Sequence, residues 1–281
     1  MNIIPWLELT QPTKEKRIYC LQGLREWAKH ADRAMVTTWP EYVPDSEDTL
    51  GLYRWLTDVV SSLDIQVIGG IKTSRILGTN PASFADWSEV RVVAEQVAKD
   101  TGYKTVVLDN ELTFEPWSRG EQDINPWQFR EAIMSLADSD VQYYWYQPAI
   151  HDDDPRFRDR HYRSKRLVEI IADTVPNSLF DDTSMAWADW LDNERQEVDR
   201  RNELRNLVGI DRVHERLIVT PDGVFKTAGR WRQCHTPREA RALIDYTGLD
   251  HTMPYGIYPG HDRWLSTAKA WGGEGRIAKD G

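Results

Sequence analysis

Apolar and β-branched residues gather into eight short runs: Ile3 to Leu7, Ala34 to Trp39, Ile65 to Ile71, Thr105 to Leu108, Val141 to Tyr146, Ser178 to Phe180, Leu217 to Thr220 and Thr252 to Ile257. Each has the length of a strand, and each is followed by a stretch with helical periodicity. The second helical stretch shows Leu52, Leu56, Val59 and Leu63 at helical spacing. The third shows Trp87, Val90, Ala94 and Val97 and is closed by Gly102. Asn125-Pro126-Trp127-Gln128 supplies an N-cap and a proline at the first helical position of the fourth. Thr236-Pro237-Arg238-Glu239 opens the seventh as a capping box, and Gly248 stands where a C-terminal glycine belongs.

The runs recur at intervals of roughly 30 to 40 residues, the size of a strand-plus-helix unit repeated without a break. This predicts an α/β chain forming a single (β/α)8 TIM barrel over residues 1–281, since such barrels take about 250 residues. The glycine-rich tail, residues 272–281 with Gly272-Gly273-Glu274-Gly275, is expected to fray. An open doubly wound sheet would place a glycine-rich phosphate turn after its first strand. Glu8-Leu9-Thr10-Gln11-Pro12 stands there instead, and no GxGxxG or Walker pattern occurs in the chain. Neither a nucleotide nor any other cofactor is therefore expected.

Composition narrows the partners. Among 281 residues, 35 Lys and Arg face 45 Asp and Glu, a net charge of −10 that opposes general attraction to nucleic acid or an anionic membrane. Cys20 and Cys234 form no metal or redox spacing. The first residues lack the basic and apolar segments of a secretory leader, and no run approaches a membrane span, so a cytoplasmic location is expected unless a leader was removed. The unusual count is 13 Trp, with 11 Tyr and 6 Phe. An indole offers a broad apolar face to a core or to a flat ligand.

In a barrel of this type, chemistry gathers at the C-terminal ends of the strands and in the loops that follow. Those windows are rich in carboxylates and aromatics. The sharpest is Val106-Val107-Leu108 ending in Asp109-Asn110-Glu111. Side chains alternate along a strand, so Asp109 and Glu111 share a face, and mutual repulsion with partial burial would leave Glu111 protonated while Asp109 stays ionised or shares that proton. Glycosidic cleavage needs such a donor together with a second carboxylate. For that second group Asp182, ending the sixth run, is favoured over Asp222, Glu41 and Glu8. The plain alternative is that Asp109 and Glu111 only cap a loop or pair with Lys or Arg. Trp39, Trp117, Trp145, Tyr146, Trp187, Tyr255 and Tyr258, with Glu41, Gln147 and Asp222, lie in or near the windows and would line a saccharide groove. Trp27, Trp55, Trp87 and Trp271, at helical positions, are expected in the core.

Val107-Leu108-Asp109-Asn110-Glu111 resembles the end of the fourth strand of TIM-barrel glycoside hydrolases in two ways. Asn110-Glu111 is similar to the Asn-Glu pair of the large retaining clan that includes cellulases and β-galactosidases, and this implies Glu111 as acid/base. That clan carries its nucleophilic Glu at the end of strand seven, where this chain has Thr220-Pro221-Asp222. Asp109-x-Glu111 also resembles the last part of the motif of family 18 chitinases, and this implies Glu111 as acid and Asp109 as the residue orienting an acetamido group. The two earlier acidic positions of that motif fall on Lys104 and Val107.

The resulting expectation is a glycoside hydrolase with Glu111 as proton donor, assisted by Asp109 and Asp182, taking a saccharide substrate and no nucleic acid or membrane partner. Two alternatives stand beside it. One is a carbohydrate-binding barrel without catalysis; the other is a lyase, isomerase or hydrolase in which Asp109, Glu111 and Asp182 hold a divalent ion. No metal is expected on the first reading, because the seven histidines are scattered and HExxH is absent. Lys72, at the end of the third run, could form a Schiff base, although a lone lysine more often pairs with a neighbouring carboxylate. Arg156 to Arg163, with interspersed Asp159, reads as a solvated helix face.

Overall fold

The computed structural model describes residues 2–3, 6–9, 18, 21–25, 28–29, 33–38, 58, 62–63, 65–78, 84–110, 113–114, 124–146, 158–185, 205–219, 224–227, 230–233 and 251–256. Its strands are β1 (Asn2–Ile3), β2 (Trp6–Leu9), β3 (Arg33–Thr38), β4 (Gln66–Lys72), β5 (Thr105–Asp109), β6 (Gln142–Tyr146), β7 (Ser178–Met185), β8 (Val213–Val219), β9 (Val224–Thr227), β10 (Arg230–Gln233) and β11 (His251–Gly256). Its helices include α1 (Ser74–Leu77), α2 (Phe84–Thr101), α3 (Pro126–Ala137) and α4 (Arg158–Thr174).

Strands β2 to β8 pair in parallel in chain order, and β11 pairs in parallel with both β8 and β2. The ring therefore closes on eight parallel strands and is a (β/α)8 barrel. β1 pairs with β11 just before β2 does, so the first run forms two short pieces along the same neighbour. Between them stands Ile4-Pro5, and proline has no N–H to give a ladder. The second-run and seventh-run helices fall largely or wholly outside the described residues.

Among the described residues, β4, β5 and β6 are covered on both faces, which explains why those runs read as nearly continuous apolar segments. The alternation along β4, β5, β6 and β7 separates two sets. Val67, Ile71, Val106, Leu108, Tyr143, Trp145 and Phe180 join one cluster with Trp87, Val90, Val93 and Ala94 of α2, Phe129 and Ile133 of α3, and Leu167 and Ile171 of α4. Ile68, Val107, Tyr144 and Leu179 are equally buried, lie outside that cluster and have the opposite strand parity. They fill the barrel interior.

Local signals set the helices. The Asn125 side chain accepts from the backbone N–H groups of Trp127 and Gln128, and Pro126 occupies a first-turn position. α2 ends where Thr101 Oγ1 donates to the Val97 carbonyl and Gly102 takes a φ of 66°. Only glycine adopts that angle without a Cβ penalty. Backbone from Arg158 onward is helical through the basic stretch.

Two features depart from the sequence-based expectation. β7 continues to Met185, well past Phe180, because Asp181 to Met185 pair with His214 to Ile218 of β8 and the ladder supplies their backbone partners. An antiparallel hairpin, β9 with β10, stands between β8 and β11, where sequence patterning predicts only a helix.

Candidate active site

The strand ends of β4, β5 and β6 are level with one another. Lys72 is in register with Asp109, and Asp109 with Tyr146. Their parity is that of Ile68, Val107 and Tyr144, so the three form a row facing the barrel interior at its C-terminal mouth. One layer below, Gly70, Val107, Tyr144 and Leu179 are in successive register and make the floor. The Lys72 ammonium lies 3.2 Å from Asp109 Oδ2, and the two side chains are only 7% and 4% exposed. Tyr146 is half-buried.

A second network fixes the backbone of these loops. Thr73 Oγ1 donates toward the Asn110 side-chain oxygen at 2.5 Å, lies 3.1 Å from the Asp109 carbonyl and 2.9 Å from Thr113 Oγ1. The Thr73 N–H donates to the same Asp109 carbonyl, and the Asn110 N–H donates to the Tyr146 carbonyl. Asn110 Nδ2 donates to the Leu108 carbonyl. Thr73, Asn110 and Thr113 are fully buried, so this cluster joins the ends of β4, β5 and β6 and holds the row above it. Sequence reasoning missed it. The available signal was that Thr73 and Asn110 each follow directly on a run that ends in a charged residue.

The structure redistributes the expected site residues. Asp109 is at the mouth as expected, and it is paired with Lys72, the plain alternative the sequence left open for it. Tyr146 is at the mouth beside it. Trp145 is a correction: its ring packs 5.4 Å from Trp87, its Nε1 donates to Ser178 Oγ at 3.0 Å, and it is wholly buried between sheet and helices. Odd positions of β6 face the helices, so Trp145 cannot line a groove. Trp87 takes the core position expected of it.

Asp182 is also moved. It lies within β7, in register with Glu215, rather than beyond the strand end. The β6–β7 register sets Trp145 opposite Phe180. One step further brings position 181, not 182, level with the row. Glu8 likewise falls inside β2 instead of after it, and Tyr255 falls inside β11 in register with Trp6. Glu111, Trp39, Glu41, Trp117, Gln147, Trp187, Asp222 and Tyr258 lie outside the described residues. Among the described residues, no group of three or more His, Cys, Asp or Glu is gathered as a metal ion would need.

Fold and strand-end row together define a parallel (β/α)8 barrel with a charged mouth. Solved structures share this architecture at low sequence identity. A putative sugar phosphate isomerase/epimerase from Anabaena variabilis is 12% identical with a TM-score of 0.55, over 95% of this chain and 87% of that one. A chitinase from Chromobacterium violaceum is 10% identical with a TM-score of 0.52, over 95% and 98%. Endonuclease IV from Thermus thermophilus is 15% identical with a TM-score of 0.50, over 98% and 100%. These likenesses establish the fold, which hosts many chemistries. No family model matches the chain, and no curated protein matches it in sequence.

Proposed function

We propose that this barrel is a glycoside hydrolase whose active centre lies at the C-terminal mouth above β4 to β7. The observation that supports this most is the in-register row of Lys72, Asp109 and Tyr146 facing the interior there. It offers a carboxylate held by a cation, with a phenol at its side able to hydrogen bond a sugar hydroxyl. Glu111 follows Asp109 by two residues and is the proton donor to the leaving oxygen. With Asp109 engaged by Lys72, the transferable proton belongs to Glu111. Asp181, whose position follows Phe180 in the β6–β7 register and so falls level with the row, is taken as the second carboxylate in preference to Asp182.

Reducing-sugar release from a panel of poly- and oligosaccharides tests this. Wild type cleaves at least one, Glu111→Gln loses about 10² to 10⁴ of that rate while still binding, and EDTA changes nothing. A Glu111→Gln variant with wild-type turnover removes the donor assignment. A wild type that binds saccharides but cleaves none is a carbohydrate-binding barrel, and an EDTA-sensitive activity belongs to a metal-dependent enzyme.

A further inference from the structure

The β9–β10 hairpin is the unforeseen element of the fold, and its charge is unlike that of the chain. Its segment, residues 224–233, carries Lys226, Arg230 and Arg232 and no Asp or Glu, within a chain of net charge −10. Its place is fixed by the backbone. It follows β8 directly, and Val219 to Val224 is five residues, at most about 18 Å of extended chain. It therefore rises from the C-terminal mouth and not from the opposite end of the barrel. In the closed ring β8 is the seventh strand and β4 the third, so the hairpin springs from the wall facing the Lys72–Asp109 pair. An eight-stranded barrel is only wide enough for its own side chains, so the two walls are close.

The register pairs Arg230 with Thr227, Trp231 with Lys226 and Arg232 with Phe225. Three cationic positions and two aromatic ones thus occupy one small two-stranded sheet. By alternation Arg230 and Arg232 share one face of this sheet with Phe225 and Thr227, while Trp231 and Lys226 take the other. A guanidinium matches the two oxygens of a carboxylate, sulfate or phosphate, and two on one face suit such a group. A local positive element on a negative protein also concentrates anionic ligand at the mouth.

We propose that the β9–β10 hairpin is an anion-recognition element and that the substrate is a saccharide bearing carboxylate, sulfate or phosphate groups. This rests on the glycoside hydrolase reading for the saccharide and on the hairpin for the charge. Titration calorimetry on the full chain separates the two. The probes are hexamers of galacturonate, of chondroitin sulfate and of phosphorylated maltose units, the neutral hexamers of cellulose and chitin, and a twelve-nucleotide oligodeoxythymidylate.

At least one anionic saccharide is expected to bind about tenfold or more tightly than either neutral one, with the preference lost between 50 and 500 mM NaCl, well past the screening range of about 10 Å at 0.1 M. Arg230→Gln with Arg232→Gln weakens that binding about tenfold or more, and the corresponding lysine variants recover part of it. Which acidic hexamer binds identifies the group as carboxylate, sulfate or phosphate. Equal or tighter binding of a neutral hexamer overturns the proposal, as does no binding of any acidic one, tighter binding of the oligonucleotide, or glutamine variants of wild-type affinity. If the double variant does not fold, the wild-type panel and its salt dependence decide alone. Anionic binding without any cleavage sinks the hydrolase reading and leaves the hairpin's role standing.

Discussion

At the residue scale, the mouth of the barrel turns on one buried pair. A carboxylate and an ammonium this enclosed are tolerable because each offsets the other's loss of water. Removing only the cation leaves the buried Asp109 carboxylate without it. Lys72→Met should therefore lower stability by about 3 to 5 kcal/mol, and adding Asp109→Leu should recover much of the loss. Urea midpoints at unchanged slope measure both changes, and a Lys72→Met midpoint equal to wild type contradicts the pair's importance.

A second buried group makes a pH prediction. Burial pushes the Tyr143 hydroxyl up to about 12, with the neighbouring Ser139 side chain opposing only in part. Above pH 10 the unfolded chain loses this proton while the folded chain keeps it. Folding stability contributed by the group is thus intact below about pH 10 and falls as pH rises toward 12, by about 1.4 kcal/mol per unit. Melting temperatures from pH 8 to 11.5 should fall less steeply for Tyr143→Phe than for wild type.

At the element scale, the joint between α4 and β7 depends on a residue from neither. Arg212 Nε donates to the Ser178 carbonyl at 3.0 Å, Nη1 to Ala172 and Nη2 to Val175 at 3.2 Å each, and its guanidinium lies 5.3 Å from the Phe180 ring centre. The carbonyls at the end of α4 thereby gain a cation where the helix dipole favours one. Burial lowers the Arg212 pKa and Asp173 acts against that, but the group remains charged at neutral pH. Arg212→Met should cost about 2 kcal/mol, its half-exposed setting reducing what three charged hydrogen bonds would otherwise give. Circular dichroism melts of the variant read the loss; an unchanged melt would mean that α4 and β7 are joined by packing alone. Much at this scale was legible in the sequence. The Asn125 cap, Pro126 and Gly102 act through neighbours within a few residues, so their roles survive without the rest of the chain.

At the scale of the molecule, stability is uneven. β4 and β5 are covered on both faces and paired on both edges, whereas β9 and β10 form a two-stranded sheet by themselves. Hydrogen exchange should accordingly be slowest in β4 and β5 and far faster in β9 and β10. Equal protection in the two regions would require the hairpin to be packed as firmly as the barrel. Addition of a saturating anionic saccharide should slow exchange in the hairpin, since a ligand that engages only the folded form raises its opening free energy.

The chain's own pattern determined the eight barrel strands and their order, the end of α2 and the start of α3, because those follow from side-chain periodicity and from contacts a few residues apart. It also placed Asp109 at a strand end. Only the closed barrel decided which parity of each strand faces the interior, and so sent Trp145 to the core and brought position 181 rather than Asp182 level with the row. Only the barrel set Lys72 against Asp109 and Thr73 against Asn110. Those partners stand on adjacent parallel strands with a whole helix between them in the chain, and their register is fixed by how the strands stagger around the ring, which no local run of residues encodes.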